Sequence, residues 1–343
     1  MELTPRKRAI LAEIVRAHIE TGEPIGSKIL ALRLPNAPST ATLRNEMSDL
    51  CEMGYLCQPH TSAGRLPTSK AYRLYVSELM TKEEMTEEGK TVVDNMLSAA
   101  PLDPENIGAT AAEILAKLTG LPVLVAQNGE RRVKIKKISL LPMGRNSVVL
   151  FLVTDDGRAK SRLVCLNSPV TDELLSAFEK TAREKLCGRS ADELDRVYMQ
   201  EVTLGAGLDA LCMAPLISCV FELASQLSES SVKVVGTANL FSVFKKEIEA
   251  ESLLQLLSAD DTVRNIFGAV REPVEVVFGD DTDYSELKSA GLIVASYGDG
   301  ENYGKIAVIG PKGMSYASLL PSVRYLADRV GNIMNDVIKG LEE

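Results

Sequence analysis

The sequence predicts an α+β chain of several domains, with three short helices and a small hairpin standing ahead of a larger body of strands and helices. Three observations predict this. At 343 residues the chain is long enough for two or three domains. Between residues 5 and 53 apolar residues recur at helical spacing, punctuated by Gly22, Pro35, Pro38 and Gly54. Further on, β-branched runs separated by turn signals give way to helical patterns and then return.

Thr4-Pro5 opens the first helix, with Thr as N-cap and Pro at the first helical position, where its missing N–H costs nothing. Ile10, Leu11, Ile14, Val15, His18 and Ile19 carry the period, and Gly22 stops it. Ser27 begins a second helix, Lys28–Leu34, and Pro35-Asn36-Ala37-Pro38 forces a turn. Ser39 caps a third helix, Thr40–Met53, which Gly54 closes.

The third helix is the informative one. At 100° per residue, Leu43, Met47 and Leu50 fall within about 60° of one another and form a packing stripe. The opposite side carries Ala41, Arg44, Asn45, Ser48 and Glu52, with Ser39, Thr40 and Thr42 near the N-terminal end. A major groove about 12 Å wide admits such a helix. Asn pairs with adenine, Arg with guanine, and Ala or Thr methyls touch thymine methyls.

After Gly54, the run Tyr55–Gln58, the polar turn Pro59–Gly64 and Arg65–Thr68 read as strand, turn, strand. Three helices and such a hairpin make a winged helix-turn-helix over residues 1–76. His60, Thr61, Ser62 and Arg65 of the turn would lie near a phosphate backbone or the adjacent minor groove, Ser27 and Lys28 opening the second helix are further DNA-binding candidates, and Lys70 and Arg73 opening the next helix add positive charge. Blander readings stand beside this one. Such a trio with a hairpin also serves as a protein-interaction module. Arg44 also fits a plain solvated residue and His18 a half-buried helix residue. His60 with Cys51 and Cys57 lacks a fourth ligand and fits no common zinc spacing, so no metal is expected.

The net charge of −9 argues at first against nucleic acid. Its distribution softens the argument. Residues 1–80 hold 10 Lys+Arg against 8 Asp+Glu, a formal +2, leaving 28 against 39 in the remainder, a formal −11. Phosphate contact needs a locally positive surface only. No run of eighteen apolar residues occurs, so no membrane span is expected. The N-terminal apolar segment is broken by Glu13 and Arg16, unlike a signal peptide. The six cysteines form no Cys-x-x-Cys, and free thiols in a reducing cytoplasm are expected.

Past the head, residues 77–95 read as a charged helical lever and 105–119 as an amphipathic helix. Strands follow at Val123–Ala126, Val133–Leu141, Ser147–Thr154 and Arg158–Cys165. Residues 172–187, 190–200 and 209–228 read as helices, Val232–Val235 as a strand and Leu240–Leu257 as one helix. Strands at Val274–Phe278, Leu292–Tyr297 and Lys305–Ile309 precede a final helix, Tyr316–Met334. Catalytic chemistry finds little support. Gly205-Ala206-Gly207-Leu208-Asp209-Ala210 matches G-x-G-x-x-A without the preceding strand that a dinucleotide site requires. The only histidines, His18 and His60, lie in the head, and Asp260-Asp261 and Asp280-Asp281 read as solvated turn residues. Neither an enzyme nor a cofactor is expected.

Residues 3–76 contain GEPIGSK, ATLRNEM and PHTSAGRLPT in close succession, and the C-terminal stretch contains GKIAVIGPKGMSYASLLPSVRYLADRV. Together these resemble the two ends of HrcA-type heat-inducible transcription repressors, while the middle matches loosely. The resemblance implies a GAF-like domain in two segments, 105–168 and 241–343, reached through a helical linker, 77–104. It implies an inserted, mainly helical dimerisation domain at 169–240. It further implies a homodimer on an inverted-repeat operator of double-stranded DNA upstream of heat-shock chaperone operons, held active by chaperonin and released by heat stress. A metabolite-sensing regulator with a pocket in the GAF-like domain is the alternative.

Overall fold

The computed structural model describes residues 3–342 apart from 61–62, 82, 101–103, 105, 128–132, 208–209, 229–231, 245 and 299–303. The head comprises α1 (Pro5–Thr21), α2 (Ser27–Arg33), α3 (Thr40–Glu52) and the antiparallel pair β1 (Leu56–Cys57) and β2 (Leu66–Pro67). Local chemistry sets its boundaries. Thr4 and Ser39 accept from the backbone N–H of Lys7 and Thr42, and Gly22 closes α1 at φ 70°. Asn36 takes the left-handed turn before α3 at φ 57°, a conformation its short polar side chain tolerates. α4 (Ser69–Leu74) closes the head and ends in one π-turn, Tyr75–Leu79.

The expected lever over 77–95 is not one helix. Met80 turns extended, and helix resumes only at α5 (Glu87–Ser98), capped by Thr86. α5 is not a free linker either. Val93 and Leu97 are buried, and Asp94 accepts from Tyr325 Oη at 3.0 Å and Arg329 Nε at 2.8 Å.

The body centres on a five-stranded antiparallel sheet in the order β7-β3-β10-β9-β8: β3 (Val123–Gln127), β7 (Val232–Val235), β8 (Val274–Phe278), β9 (Ala290–Tyr297) and β10 (Gly304–Pro311). The two-residue strand period divides its side chains between two cores. Val123, Val125, Ile293, Ala295, Ile306 and Val308 pack with α6 (Ile107–Thr119), α13 (Tyr316–Glu342), α5 and the head. Leu124, Leu292, Val294, Ala307 and Ile309 pack on the other side with α11 (Glu247–Leu257) and α12 (Asp260–Ala269). The expected single helix Leu240–Leu257 is two, α10 (Ala238–Val243) and α11, because Phe244 and Lys246 both turn extended. At Asp260-Asp261 the chain begins α12 instead of a turn.

The remaining strands, β4 (Ile135–Gly144), β5 (Ser147–Thr154) and β6 (Ala159–Cys165), form a separate three-stranded sheet. One of its faces packs on α7 (Asp172–Thr181), α8 (Arg196–Gly205) and α9 (Ala210–Ser228) in a third core. α9 is long and apolar enough to cross a membrane by composition alone, and its Met213, Leu216, Val220, Leu223 and Leu227 are buried in that core. The boundary expected at 168/169 thus falls between β6 and α7, which share one core, while β7 hydrogen-bonds β3 in the larger sheet.

Candidate nucleic-acid interface

α3 packs as its periodicity requires: Leu43, Met47 and Leu50 are buried between α1 and α2. Thr40, Ala41, Arg44, Asn45 and Ser48 are exposed along the opposite side. Ser39 and Thr42 are less free, because their hydroxyls bond each other at 2.9 Å as part of the cap. Ser27 is half-buried and Lys28 exposed at the start of α2.

The hairpin is tied back to the head by backbone. Ile25 and Arg65 exchange two N–H···O bonds of 2.9 Å. Gly64 makes that approach possible, since an added Cβ would lie 2.6 Å from the Ile25 carbonyl. Gln58 Nε2 donates to the Ala63 carbonyl at 3.2 Å across the turn. Thr68 Oγ1 sits 2.8 Å from the Gly54 carbonyl and 3.0 Å from that of Tyr55, joining the hairpin base to the end of α3. Sequence reasoning missed these scaffold residues, and only the glycine beside Arg65 offered a local signal. His60 is exposed, and Thr61 and Ser62 lie outside the described residues. Burial raises the Cys57 thiol above its ordinary pKa, with nearby Cys51 adding to the effect, which keeps it protonated. Among the described residues no three His, Cys, Asp or Glu side chains are grouped to hold a metal.

The cations of the head divide in two. Arg6 and Lys7 pair with Glu46, Lys7 also with Asp49 at 2.6 Å, and Arg8 with Glu78 at 2.8 Å. Arg16 and Arg33 hold the buried Glu13 at 2.8 and 2.6 Å, and that bond, with a second to Glu20, raises the Arg33 pKa further. Arg73 is paired with Asp281. Six of the ten are therefore neutralised locally. Lys28, Arg44, Arg65 and Lys70 make no ion pair among the described residues, and all four belong to the predicted set. Lys70 is partly engaged, donating to the Met53 carbonyl at 2.9 Å and sitting 4.3 Å from the Tyr55 ring centroid. Arg65 is half-buried, with Nη1 3.5 Å from the Ala63 carbonyl.

Two expectations lie outside this face, and His18 meets its own. His18 is half-buried, its Nδ1 3.0 Å from the Glu23 carbonyl and its ring 6.5 Å from that of Tyr72. Asp280 and Asp281 are exposed on a 3₁₀ turn, as expected, and they also bond Ser69, Lys312 and Arg73.

A family profile described as the HrcA protein C-terminal domain matches residues 105–320. The heat-inducible transcription repressor HrcA of Clostridioides difficile (strain 630) is 33% identical over 338 residues, 95% of this chain and 98% of its own. The repressor of the same name from Carboxydothermus hydrogenoformans is 31% identical, with coverage of 95% and 98%. That of Acetivibrio thermocellus is 28% identical, with coverage of 96% and 96%. A crystal structure at 2.2 Å, described as a hypothetical protein, shares the fold with a TM-score of 0.66 at 23% identity, covering 98% of this chain and 100% of its own. The profile spans more than half of the chain and the relatives nearly all of it, so the chain belongs to the HrcA family of heat-inducible transcription repressors.

Proposed function

We propose that this chain is a sequence-specific repressor that reads double-stranded DNA with a winged helix-turn-helix over residues 1–76. α3 is the reading helix and β1–β2 the wing. One observation carries the reading: α3 buries Leu43, Met47 and Leu50 and holds Arg44, Asn45 and Ser48 outward, with Arg44 among the few head cations left without a carboxylate partner. Arg65 and Lys28 supply sequence-independent phosphate attraction beside it.

A single head contacts few base pairs, and each good bidentate pair gives about 1–3 kcal/mol of discrimination. A homodimer on an inverted repeat doubles the contacts. Support for a dimer comes from the three-stranded sheet, whose outer face leaves Leu141, Phe151 and Leu163 exposed. We read the five-stranded body as GAF-like and the unit over 133–228 as the inserted dimerisation domain. This division follows the shared core of β4–β6 and α7–α9, in place of the expected 169–240. Family membership supports heat-shock chaperone operons as the targets, a cytoplasmic setting, and chaperonin as the partner that keeps the repressor active until heat stress diverts it.

The test is a gel-shift titration on an inverted-repeat fragment at fixed salt, with and without chaperonin. Arg44→Ala and Asn45→Ala each weaken binding by about 10-fold or more, with far-UV circular dichroism unchanged. Unaltered affinity in both variants overturns the assignment. A second reading, a metabolite-sensing regulator, is favoured by a cavity of about 440 Å³ lined by Met80, Glu84, Lys90, Val276 and Tyr325, within the size range of small-molecule sites. A metabolite that shifts operator affinity while chaperonin does not would decide for it.

A further inference from the structure

The head does not hang from the body by its chain alone. The Tyr72 ring stacks on Phe278 at 6.2 Å and tilts against Tyr316 at 6.3 Å, while Phe278 and Tyr316 meet at 6.0 Å. Gly313 lets the body approach closely, since an added Cβ would lie 3.1 Å from Tyr72 Oη. Apolar contact of this kind is non-directional and leaves rotation open. Directional bonds flank it. Ser69, the first residue of α4 and itself buried, donates to Asp280 Oδ2. Lys312 Nζ donates to the same oxygen at 2.6 Å. Arg73 pairs with Asp281, its Nε donating to Oδ2 at 3.1 Å, and lies 5.7 Å from the Phe278 ring centroid.

Both carboxylates stand on a rigid support. They follow β8 in a single 3₁₀ turn, Gly279–Asp281, and Asp281 Oδ2 also accepts from its own strand at Phe278 N, 3.3 Å away. No residue with a Cβ fits at Gly279, where that atom would lie 1.6 Å from the Leu287 carbonyl oxygen. The contact leaves the reading side of α3 uncovered, because Arg44, Asn45 and Ser48 are exposed with the head docked. It therefore holds the head without blocking it.

We infer that Asp280 and Asp281 are positioning residues for DNA recognition: through Ser69 and Arg73 they fix the angle of the head on the body, with Lys312 bracing Asp280 from within the body, and so the separation of two heads across a dimer. The inference rests on the DNA-reading assignment above. It follows from geometry, since a body that dimerises can set half-site spacing only if each head is fixed in rotation. Charge-assisted bonds to one rigid turn supply that fixation.

The experiment uses the full-length chain and DNA carrying either one half-site or an inverted repeat with a series of spacer lengths. Wild-type protein, Asp280→Asn/Asp281→Asn and Asp280→Glu/Asp281→Glu are titrated at one salt concentration, with circular dichroism confirming equal folding. The expected result is a sharp spacing optimum for wild type and for the Glu pair. For the Asn pair the optimum flattens, with roughly 10-fold or greater loss at the best spacing and unchanged half-site affinity. A sharp optimum in the Asn pair overturns the inference. So does an equal loss on half-site and full site, which would make the contact a general stabiliser. Wild-type failure on the half-site overturns the DNA-reading assignment itself, and the inference with it.

Discussion

Arg44 and Lys28 owe their availability to what surrounds the other cations: Glu13, Glu46, Asp49 and Glu78 occupy their neighbours and leave these two unpaired among the described residues. Each phosphate contact lowers the slope of log affinity against log salt by about 0.9. Lys28→Ala and Arg65→Ala are each expected to flatten that slope by about 1. Arg6→Ala, already paired with Glu46, should leave the slope unchanged. A salt series of binding titrations checks all three. Packing predictions are equally local. Leu50 is fully buried under α1 and α2, so Leu50→Ala should cost roughly 2–5 kcal/mol by thermal denaturation. The exposed side of α3 was legible in the sequence because helical period alone decides it. The partners of Arg73 were not, because Asp281 lies 208 residues away in the chain.

Elements followed the same divide between local and distant causes. Caps at Thr4 and Ser39 and the stop at Gly22 are written within four residues of where they act, and α1 and α3 are bounded there. Past Leu79 the chain turns extended at Met80, and α5 is seated against α13 by Tyr325 and Arg329 on Asp94, partners 231 and 235 residues away. Alternation told that β4, β5 and β6 are strands, but not which sheet receives them, since pairing is a choice among partners. Their outer face carries Phe151 and Leu163 on adjacent strands, with Phe151 opposite Ser161 and Val149 opposite Leu163. Phe151→Asp with Leu163→Asp should convert the protein to monomer in analytical ultracentrifugation while leaving half-site binding intact. A dimer that survives both changes would place the interface elsewhere.

At the level of the whole molecule, head and body meet through titratable groups as well as rings. Burial pushes the Asp280 carboxyl up, but the Lys312 ammonium and Ser69 hydroxyl outweigh it and, with Arg73 nearby, hold the group below its ordinary value. A carboxyl depressed in the folded state contributes fully above its ordinary pKa of about 3.9 and loses that contribution as pH falls through the lower folded value. Amide exchange at Ser69–Arg73 should therefore stay slow from pH 7 to about 4 and quicken below it. Asp280→Asn should remove that acid-induced step.

The apolar interior that starts at Leu3 runs without interruption through Tyr72, Leu115 and Val308 to Met334, whereas the unit carrying α9 keeps an interior of its own. Calorimetry on the intact chain should accordingly resolve one melting event common to head and five-stranded body, and another for the appended unit. A lone early transition confined to the first 76 residues would contradict this. Warming such a molecule cannot melt the head while the five-stranded sheet stays intact, because the two share one interior and would fail as one.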